Sequence, residues 1–165
     1  MPRNHAVVRL LVENGIIETH TLPADDLSRQ LLHAIYLSDT GRVAKLLQRR
    51  PRLATTADGR GDMPIHHAAR NGETEIVRLL IDAGADVNGR NTRNQTVLYC
   101  AGGHGHFETV EFLLDKGADR NAALGDDGKN LEQWLAQYPD EPHLQDVAKV
   151  LERRKDEPPI KPDGN

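Results

Sequence analysis

The chain has 165 residues, of which 38% are hydrophobic, 4% aromatic and 28% charged, with a formal net charge of -4 and a pI of about 6.0. This length is typical of one domain or one repeat array. The negative net charge gives no indication of a nucleic-acid-binding surface. A single cysteine excludes an intramolecular disulfide. No basic leader with an apolar core is present, and no apolar run approaches about 18 residues, so we expect a cytoplasmic protein outside the membrane.

The first segment, residues 1–24, is open to two interpretations. Its run AVVRLLVENG at 6–15 echoes the later run IVRLLIDAG at 76–84, which favours a helix that ends at Asn14-Gly15. The alternative is a β-hairpin, because Asn-Gly between β-rich arms is a strong signal for a type I′ turn. We predict the helix and keep the hairpin as the alternative.

Residues 25–57 align directly with residues 58–90, the next segment of the same length. The two apolar runs of each segment coincide in this alignment, whereas Asp39 stands where the later segment has Gly72. The first unit of a stack is expected to be degenerate, because its outer face meets water and not another unit. We therefore predict that residues 25–57 form a degenerate N-terminal cap.

The most regular part of the chain is the unit at 58–90, which returns at 91–123 with eleven identical positions. Pro64 stands where a first helix begins, a position that suits proline because its missing N–H would be unpaired there in any case. Gly72 and Gly84 stand where the two helices end, where left-handed backbone is favoured. Neither short helix buries its apolar face alone, so this period predicts units that stack on one another.

Residues 124–154 form the matching closing unit. The segment 138–142 makes a longer break than the other units use, and 143–154 then has apolar residues at helical spacing with charges on the far side. We predict a degenerate C-terminal cap here. The remaining residues, 155–165, are proline-rich and charged, which is typical of a disordered tail that the fold does not need.

The repeated units resemble the ankyrin repeat, whose pattern reads roughly D-x-x-G-x-T-P-L-H-x-A-A-x-x-G-x-x-E-x-V-x-L-L-L-x-x-G-A-D-V-N. The resemblance is strong over 58–123 and weaker over 25–57 and 124–154. It implies an all-α solenoid of stacked helix-turn-helix units with projecting hairpin loops. It also implies a non-enzymatic module without a cofactor, monomeric when free, that binds another protein as an adaptor or scaffold.

In ankyrin proteins the first helices and the hairpin tips form the concave surface that faces the partner. The resemblance implies that this chain binds through the corresponding positions, which are His67, Arg70, Asn71, Gly89, Arg90, Arg93, Asn94, Cys100, Gly103 and His104. The planar arginine fork suits carboxylates, so we expect a partner with an acidic or mixed-polar surface, and neither nucleic acid nor membrane. The glycine pair Gly102-Gly103 is expected to leave space for the approaching chain.

Two alternatives remain open. Within the binding class, the chain is a stoichiometric enzyme inhibitor or an immunity-type protein. In the other class, it holds a metal or a catalytic site, because Cys100 and His104 stand at i and i+4 on one helix face and His67 is equivalent one unit earlier. No orienting acid lies near the Cys–His pair in sequence, which weakens the catalytic version. For His66 and Tyr99 we expect structural roles, with buried rings and bonded polar atoms.

Overall fold

A computed structural model of the chain describes residues 27–123 and 128–155. The interpretations of residues 1–24 as helix or hairpin, and of 156–165 as part of a tail, concern segments that lie outside the described residues. The described part is helical, as the sequence predicted, with no regular strand within it; Arg90 and Thr96 form an isolated antiparallel bridge.

The helices come in pairs. In chain order they are α1 (Leu27–Tyr36) with α2 (Thr40–Arg49), α3 (Pro64–Arg70) with α4 (Thr74–Asp82), α5 (Val97–Gly102) with α6 (Phe107–Asp115), and α7 (Leu131–Leu135) with α8 (Pro142–Arg153). A 3-10 helix, Pro51–Thr55, follows α2. The first helices α1, α3, α5 and α7 pack in succession in one layer, and the second helices α2, α4, α6 and α8 pack in a second layer.

The helix ends follow from local sequence. Pro64 is the first residue of α3, and Thr96 caps α5 by accepting a hydrogen bond at its hydroxyl from the Tyr99 N–H at 3.1 Å. Gly72 and Gly84 end α3 and α4 with φ of 74° and 98°, in the left-handed region that favours glycine. The turn at Gly72 lets α4 fold back on α3, and the turn at Gly84 leads the chain out of α4 towards the next pair.

The leading pair departs from the predicted alignment by one position. The left-handed residue after α1 is Ser38, with φ 55°, and Asp39 instead caps α2 by accepting from the Arg42 N–H at 2.9 Å. Ser38 is therefore the equivalent of Gly72, and Asp39 is not. Serine tolerates this conformation less well than glycine, and the Ser38 hydroxyl donates to Glu73 at 2.5 Å, which ties the turn to the next pair.

A continuous apolar core runs between the two layers. Leu80 and Leu113 occupy equivalent positions on α4 and α6 and are both fully buried, as the period of the repeat predicts. Ala68 and Ala69 on α3 are also fully buried, and their small side chains let neighbouring helices approach closely. At the C-terminal end, Tyr99 packs edge-on against Trp134, with ring centroids 5.3 Å apart.

Candidate functional site

The loop before α3 begins a network of polar side chains on the layer of first helices. Asp58 folds this loop, because one oxygen of its carboxylate accepts from the backbone N–H groups of Arg60 and Asp62 at 2.8 and 3.0 Å. Burial opposes ionisation of Asp58, but these bonds and a bond to His67 outweigh it and lower its pKa. The loop thus holds a carboxylate in place as an ion.

His67 joins this loop to the preceding helix pair. Its Nε2–H donates to Asp58 at 3.0 Å, and its Nδ1 accepts from the Tyr36 hydroxyl at 2.8 Å. Both ring nitrogens are therefore hydrogen-bonded, and the ring is buried. Tyr36 lies edge-on to the histidine ring and is itself 41% exposed, so part of its side chain is accessible.

Asp62 is the centre of the network, with a side chain only 4% exposed. It accepts from the Asn91 amide at 2.6 Å and from the guanidinium groups of Arg70 and Arg93 at 3.4 Å each. Burial would raise the pKa of Asp62, but the bond from Asn91 and the charge of Arg70 lower it below its usual value. Arg70 is 24% exposed and Arg93 62% exposed, so one buried carboxylate orients two partly accessible cations.

The hairpin tip between the two central pairs is braced internally. The Arg90 guanidinium donates to the Asn94 side chain at 2.9 Å and to the Ala123 carbonyl at 2.7 Å. Asn94 itself has a φ of 56°. Both residues are exposed, and Arg93 stands between Arg90 and Asn94 in the sequence. The hairpin therefore presents polar groups whose positions are already fixed.

The remaining predicted contact residues divide by burial. Asn71 and Gly103 are half-buried, and Asn71 is the C-cap of α3. Gly89 is buried, and its carbonyl accepts from the buried His66 ring at 3.2 Å. Burial lowers the pKa of His66, and its other ring nitrogen accepts from the Met63 N–H at 3.2 Å, so its role is structural.

Cys100 and His104 do not form the pair that the helix spacing suggested. Nδ1 of His104 bonds the carbonyl of Cys100 at 3.0 Å, while the buried Cys100 sulfur accepts from Arg70 at 3.7 Å. Burial raises the pKa of the Cys100 thiol to about 11, which disfavours the thiolate that a nucleophile or a metal ligand needs. His67 is committed to Tyr36 and Asp58, so the geometry does not support a metal or nucleophile site built on Cys100, His104 and His67.

A different trio has the proximity that a metal site requires. Ligand atoms of Asp58, Asp62 and His67 lie within 4.8 Å of one another, and no second such group occurs in residues 27–123 or 128–155. The positive charges of Arg70 and Arg93, together with the hydrogen bonds described above, already compensate these groups. The trio is accordingly a part of the protein's own hydrogen-bond network.

The glycine pair on α5 serves a different purpose from the one expected. A Cβ at Gly102 would lie 2.5 Å from Leu131, so the space beside this glycine is filled by α7 of the same chain. At Gly103 a Cβ would lie 3.1 Å from the Tyr99 carbonyl. The close approach predicted at this pair is real, but the group that approaches Gly102 is Leu131 of α7.

Four members of the network escaped the sequence analysis, namely Tyr36, Asp58, Asp62 and Asn91. Asp58 and Asp62 bracket the turn DGRGD, and Asn91 opens the next unit as Asp58 opens this one, so the polar start of each unit was the available signal. No sequence signal pointed to Tyr36, because the alignment of the first unit was wrong by one position and did not place this residue opposite His67.

The helix pairs stack in succession, a hairpin separates the two central pairs, and the layer of first helices carries polar groups. This arrangement is that of a helical repeat solenoid. A model of three ankyrin repeats matches residues 31–123, which is more than half of the chain. The chain therefore belongs to the ankyrin-repeat family, as its sequence pattern indicated.

Individual relatives match the repeats only. The chain is similar to human Ankyrin repeat domain-containing protein 35, with 41% identity over 63 residues, which are 38% of this chain and 6% of that protein. It is 42% identical over 71 residues to Probable E3 ubiquitin-protein ligase XBOS32 of Oryza sativa subsp. japonica, covering 42% of this chain and 14% of the relative. A Putative ankyrin repeat protein of Rickettsia bellii is 32% identical over 98 residues, covering 59% of this chain and 36% of the relative. The chain thus spans well under half the length of each of these relatives.

None of the helices in the described ranges combines the length and the apolar character needed to cross a lipid bilayer.

Proposed function

We propose that this array is a protein-binding module, and that its partner contacts the first-helix face around Tyr36, Arg70 and Arg93. The observation that carries the proposal is the buried Asp62, which orients two partly exposed guanidinium groups from neighbouring repeats. Tyrosine and arginine are enriched among the residues that dominate binding energy. Side chains that are oriented before binding lose less entropy when the partner arrives.

The charges of this surface favour a partner with mixed polarity. Two carboxylates, Asp58 and Asp62, stand beside Arg70 and Arg93, so the local formal charge is balanced. The ion pair from Arg93 to Asp62 is long, at 3.4 Å, and the arginine side chain is 62% exposed. Because Asp62 accepts from one nitrogen of Arg93 and the side chain is largely exposed, the other N–H groups of this guanidinium can donate to a carboxylate of the partner while Asp62 holds it in place.

The role that follows is that of an adaptor or scaffold which acts in the cytoplasm as a monomer when free. Ankyrin repeats are interaction modules, and one relative that shares them is named as a probable E3 ubiquitin-protein ligase. In that relative the matched repeats occupy a small part of a longer chain. A module that brings a partner to another activity is the role that best fits both the family and this surface.

Site-specific photocrosslinking tests the proposal. A photoreactive amino acid placed at Arg93 in the full chain should capture a partner protein in cells, and the same group at Lys149 on α8 is the matched exposed control. The captured protein is identified by mass spectrometry and titrated against the purified array. Arg93→Ala and Arg70→Ala should each weaken binding by about tenfold, equivalent to about 1.4 kcal/mol.

The melting temperature of Arg93→Ala should stay within about 1 °C of the parent, because an exposed ion pair contributes little. Normal binding by both arginine variants, together with capture only from position 149, would show that the partner uses the other layer.

A further inference from the structure

A second charged surface lies on the other layer, on the outer side of α2. Arg42, Lys45 and Arg49 stand at i, i+3 and i+7 of this helix, which places them on one stripe. The opposite side of α2 is buried through Val43, Leu46 and Leu47. Arg50 and Arg52 continue the positive charge into the 3-10 helix, and all five basic residues are exposed. We refer to these five residues as the α2 basic stripe.

The charge of the stripe contrasts with the rest of the chain. Residues 42–52 contain five basic residues and no acidic one, whereas the remainder has sixteen basic and 25 acidic residues. The formal charge is therefore +5 within 42–52 and -9 on all the other residues. This separation is concealed by the modest net charge of -4.

The stripe also lacks internal compensation. Among residues 27–123 and 128–155, none of the five basic side chains forms an ion pair or a side-chain hydrogen bond, and the carboxylate of nearby Asp39 is used by the cap of α2. Elsewhere on the surface, Arg78 is paired with Glu75 and Lys149 with Asp146. Lys45 and Arg49 stand at i and i+4, a spacing at which like charges destabilise a helix. Basic residues at the helix C-terminus gain from the dipole, but those in its first turns do not.

We propose that the α2 basic stripe binds an acidic segment of a partner protein, on a surface separate from the first-helix face. Four of its five cations are arginines, whose planar forks match carboxylates in pairs. From Arg42 to Arg49 the stripe extends about 10 Å along the helix, and Arg50 and Arg52 lengthen it, which suits a short extended peptide. A nucleic acid or an anionic membrane would extend past the stripe onto described residues that carry sixteen acidic and thirteen basic side chains. The segment 42–52 also lacks the aromatic residues on which bases stack.

Fluorescence anisotropy with a labelled peptide of alternating glutamate and alanine, long enough to span the stripe, tests this inference in the full chain. The triple variant Arg42→Gln, Lys45→Gln and Arg49→Gln removes three charges from the stripe. A matched triple, Lys116→Gln, Lys149→Gln and Arg153→Gln, removes three charges elsewhere. At about 0.15 M salt, where distant charges are screened beyond about 8 Å, we expect the first triple to bind at least about tenfold more weakly and the second to change by less than about twofold.

Thermal melts of both triples separate binding from folding, and the stripe variant should melt at the same temperature as the parent or above it because a like-charge pair is removed. Equal loss of binding in the two triples would reduce the effect to net charge and overturn the proposal. So would binding of single-stranded RNA or of phosphatidylserine vesicles in preference to the acidic peptide. Since the first-helix face is unchanged in the stripe variant, capture by a photoreactive group at position 93 should persist, which keeps this test independent of the proposed function.

Discussion

The Tyr36 hydroxyl donates to Nδ1 of His67 at 2.8 Å, and the two rings meet edge-on with centroids 5.5 Å apart. This contact joins α1 to α3, and through His67 it reaches the loop carboxylate of Asp58 at 3.0 Å. The first helix pair is thus connected to the second by a specific polar bridge as well as by apolar packing. A chain from Tyr36 through His67 to Asp58 fixes the position of the loop that carries Asp62.

Removing the Tyr36 hydroxyl should weaken the array measurably. Tyr36→Phe keeps the ring contact and leaves the partly buried His67 nitrogen without its donor, so we expect a loss of about 1 kcal/mol in the free energy of unfolding. Tyr138→Phe is the matched control, because Tyr138 is similarly exposed, at 44%. Urea unfolding of both variants gives the comparison. Equal stability of the two variants would show that the bridge contributes nothing.

Gly102 should not tolerate a larger residue, because α7 packs directly against it. Gly102→Ala places a Cβ 2.5 Å from Leu131, and such overpacking typically costs about 1–3 kcal/mol. The matched control is Gly41→Ala in α2, where the nearest atom would be 3.7 Å away and the better helix propensity of alanine should stabilise by about 0.5–1 kcal/mol. Thermal melts should therefore move in opposite directions for the two variants. If Gly102→Ala leaves the melting temperature unchanged while Gly41→Ala raises it as expected, then α7 does not pack against α5.

Sequence reasoning succeeded where the period sets the structure. Helix pairs, the turns at Gly72 and Gly84 and the equivalence of Leu80 and Leu113 all follow from apolar spacing and from glycine at left-handed positions. The alignment of the first unit was wrong by one position, because a non-glycine residue, Ser38, adopts the left-handed turn there.

The candidate site was less predictable than the fold. Family positions pointed to His67, Arg70 and Cys100, but their partners come from other repeats and from loops, and no spacing rule identifies which acid a buried histidine will meet. Asp62 lies 29 residues from Asn91 and 31 from Arg93 in sequence, yet it accepts hydrogen bonds from both. Such pairings depend on how neighbouring repeats stack, and a single sequence does not carry that information.

The equivalence of Leu80 and Leu113 makes a direct test of the repeat register. Leu→Ala at either position removes a fully buried side chain and should cost about 2–5 kcal/mol, and the two losses should be similar. Leu79→Ala, next to Leu80 but only half-buried, should cost clearly less. Chemical denaturation measures all three. A larger loss at Leu79 than at Leu80 would mean that the helix faces are assigned wrongly.

Stability should depend on pH through His66. Its buried ring donates to the Gly89 carbonyl and accepts from the Met63 N–H, so only the neutral form satisfies both, and burial lowers its pKa below the ordinary 6.5. The unfolded chain takes up its proton near pH 6.5, whereas the folded chain does so only at lower pH. This contribution is therefore complete above pH 6.5 and is lost as the pH falls below it.

The loss has an upper limit of about 1.4 kcal/mol per pH unit for a single group. Urea unfolding between pH 7.5 and 5 should show the decline, and His66→Gln should make it shallower. His104, whose pKa burial also lowers, adds to the same window, so His104→Gln is measured in parallel. A stability that is flat from pH 7.5 to 5 would contradict the assignment of His66 as a neutral structural group.

Asp62 should prove to be the residue that supports both the fold and the binding surface. Asp62→Ala removes one acceptor from the half-buried Arg70 and one from the Asn91 amide, and breaking a buried pair of this kind should cost about 2–4 kcal/mol. Asp146→Ala is the matched control, because it breaks an exposed pair with Lys149 that is worth less than about 1 kcal/mol.

Asp62→Asn keeps an acceptor for Asn91 but loses the charge that orients the two arginines. It should therefore be more stable than Asp62→Ala. Its affinity for the partner should nevertheless be as low as that of Arg70→Ala. Binding to the captured partner, measured by calorimetry below the melting temperature of each variant, separates the two roles. If Asp62→Asn binds like the parent while Arg93→Ala does not, the arginines find their orientation without the buried carboxylate, and the preorganised surface proposed here would be wrong.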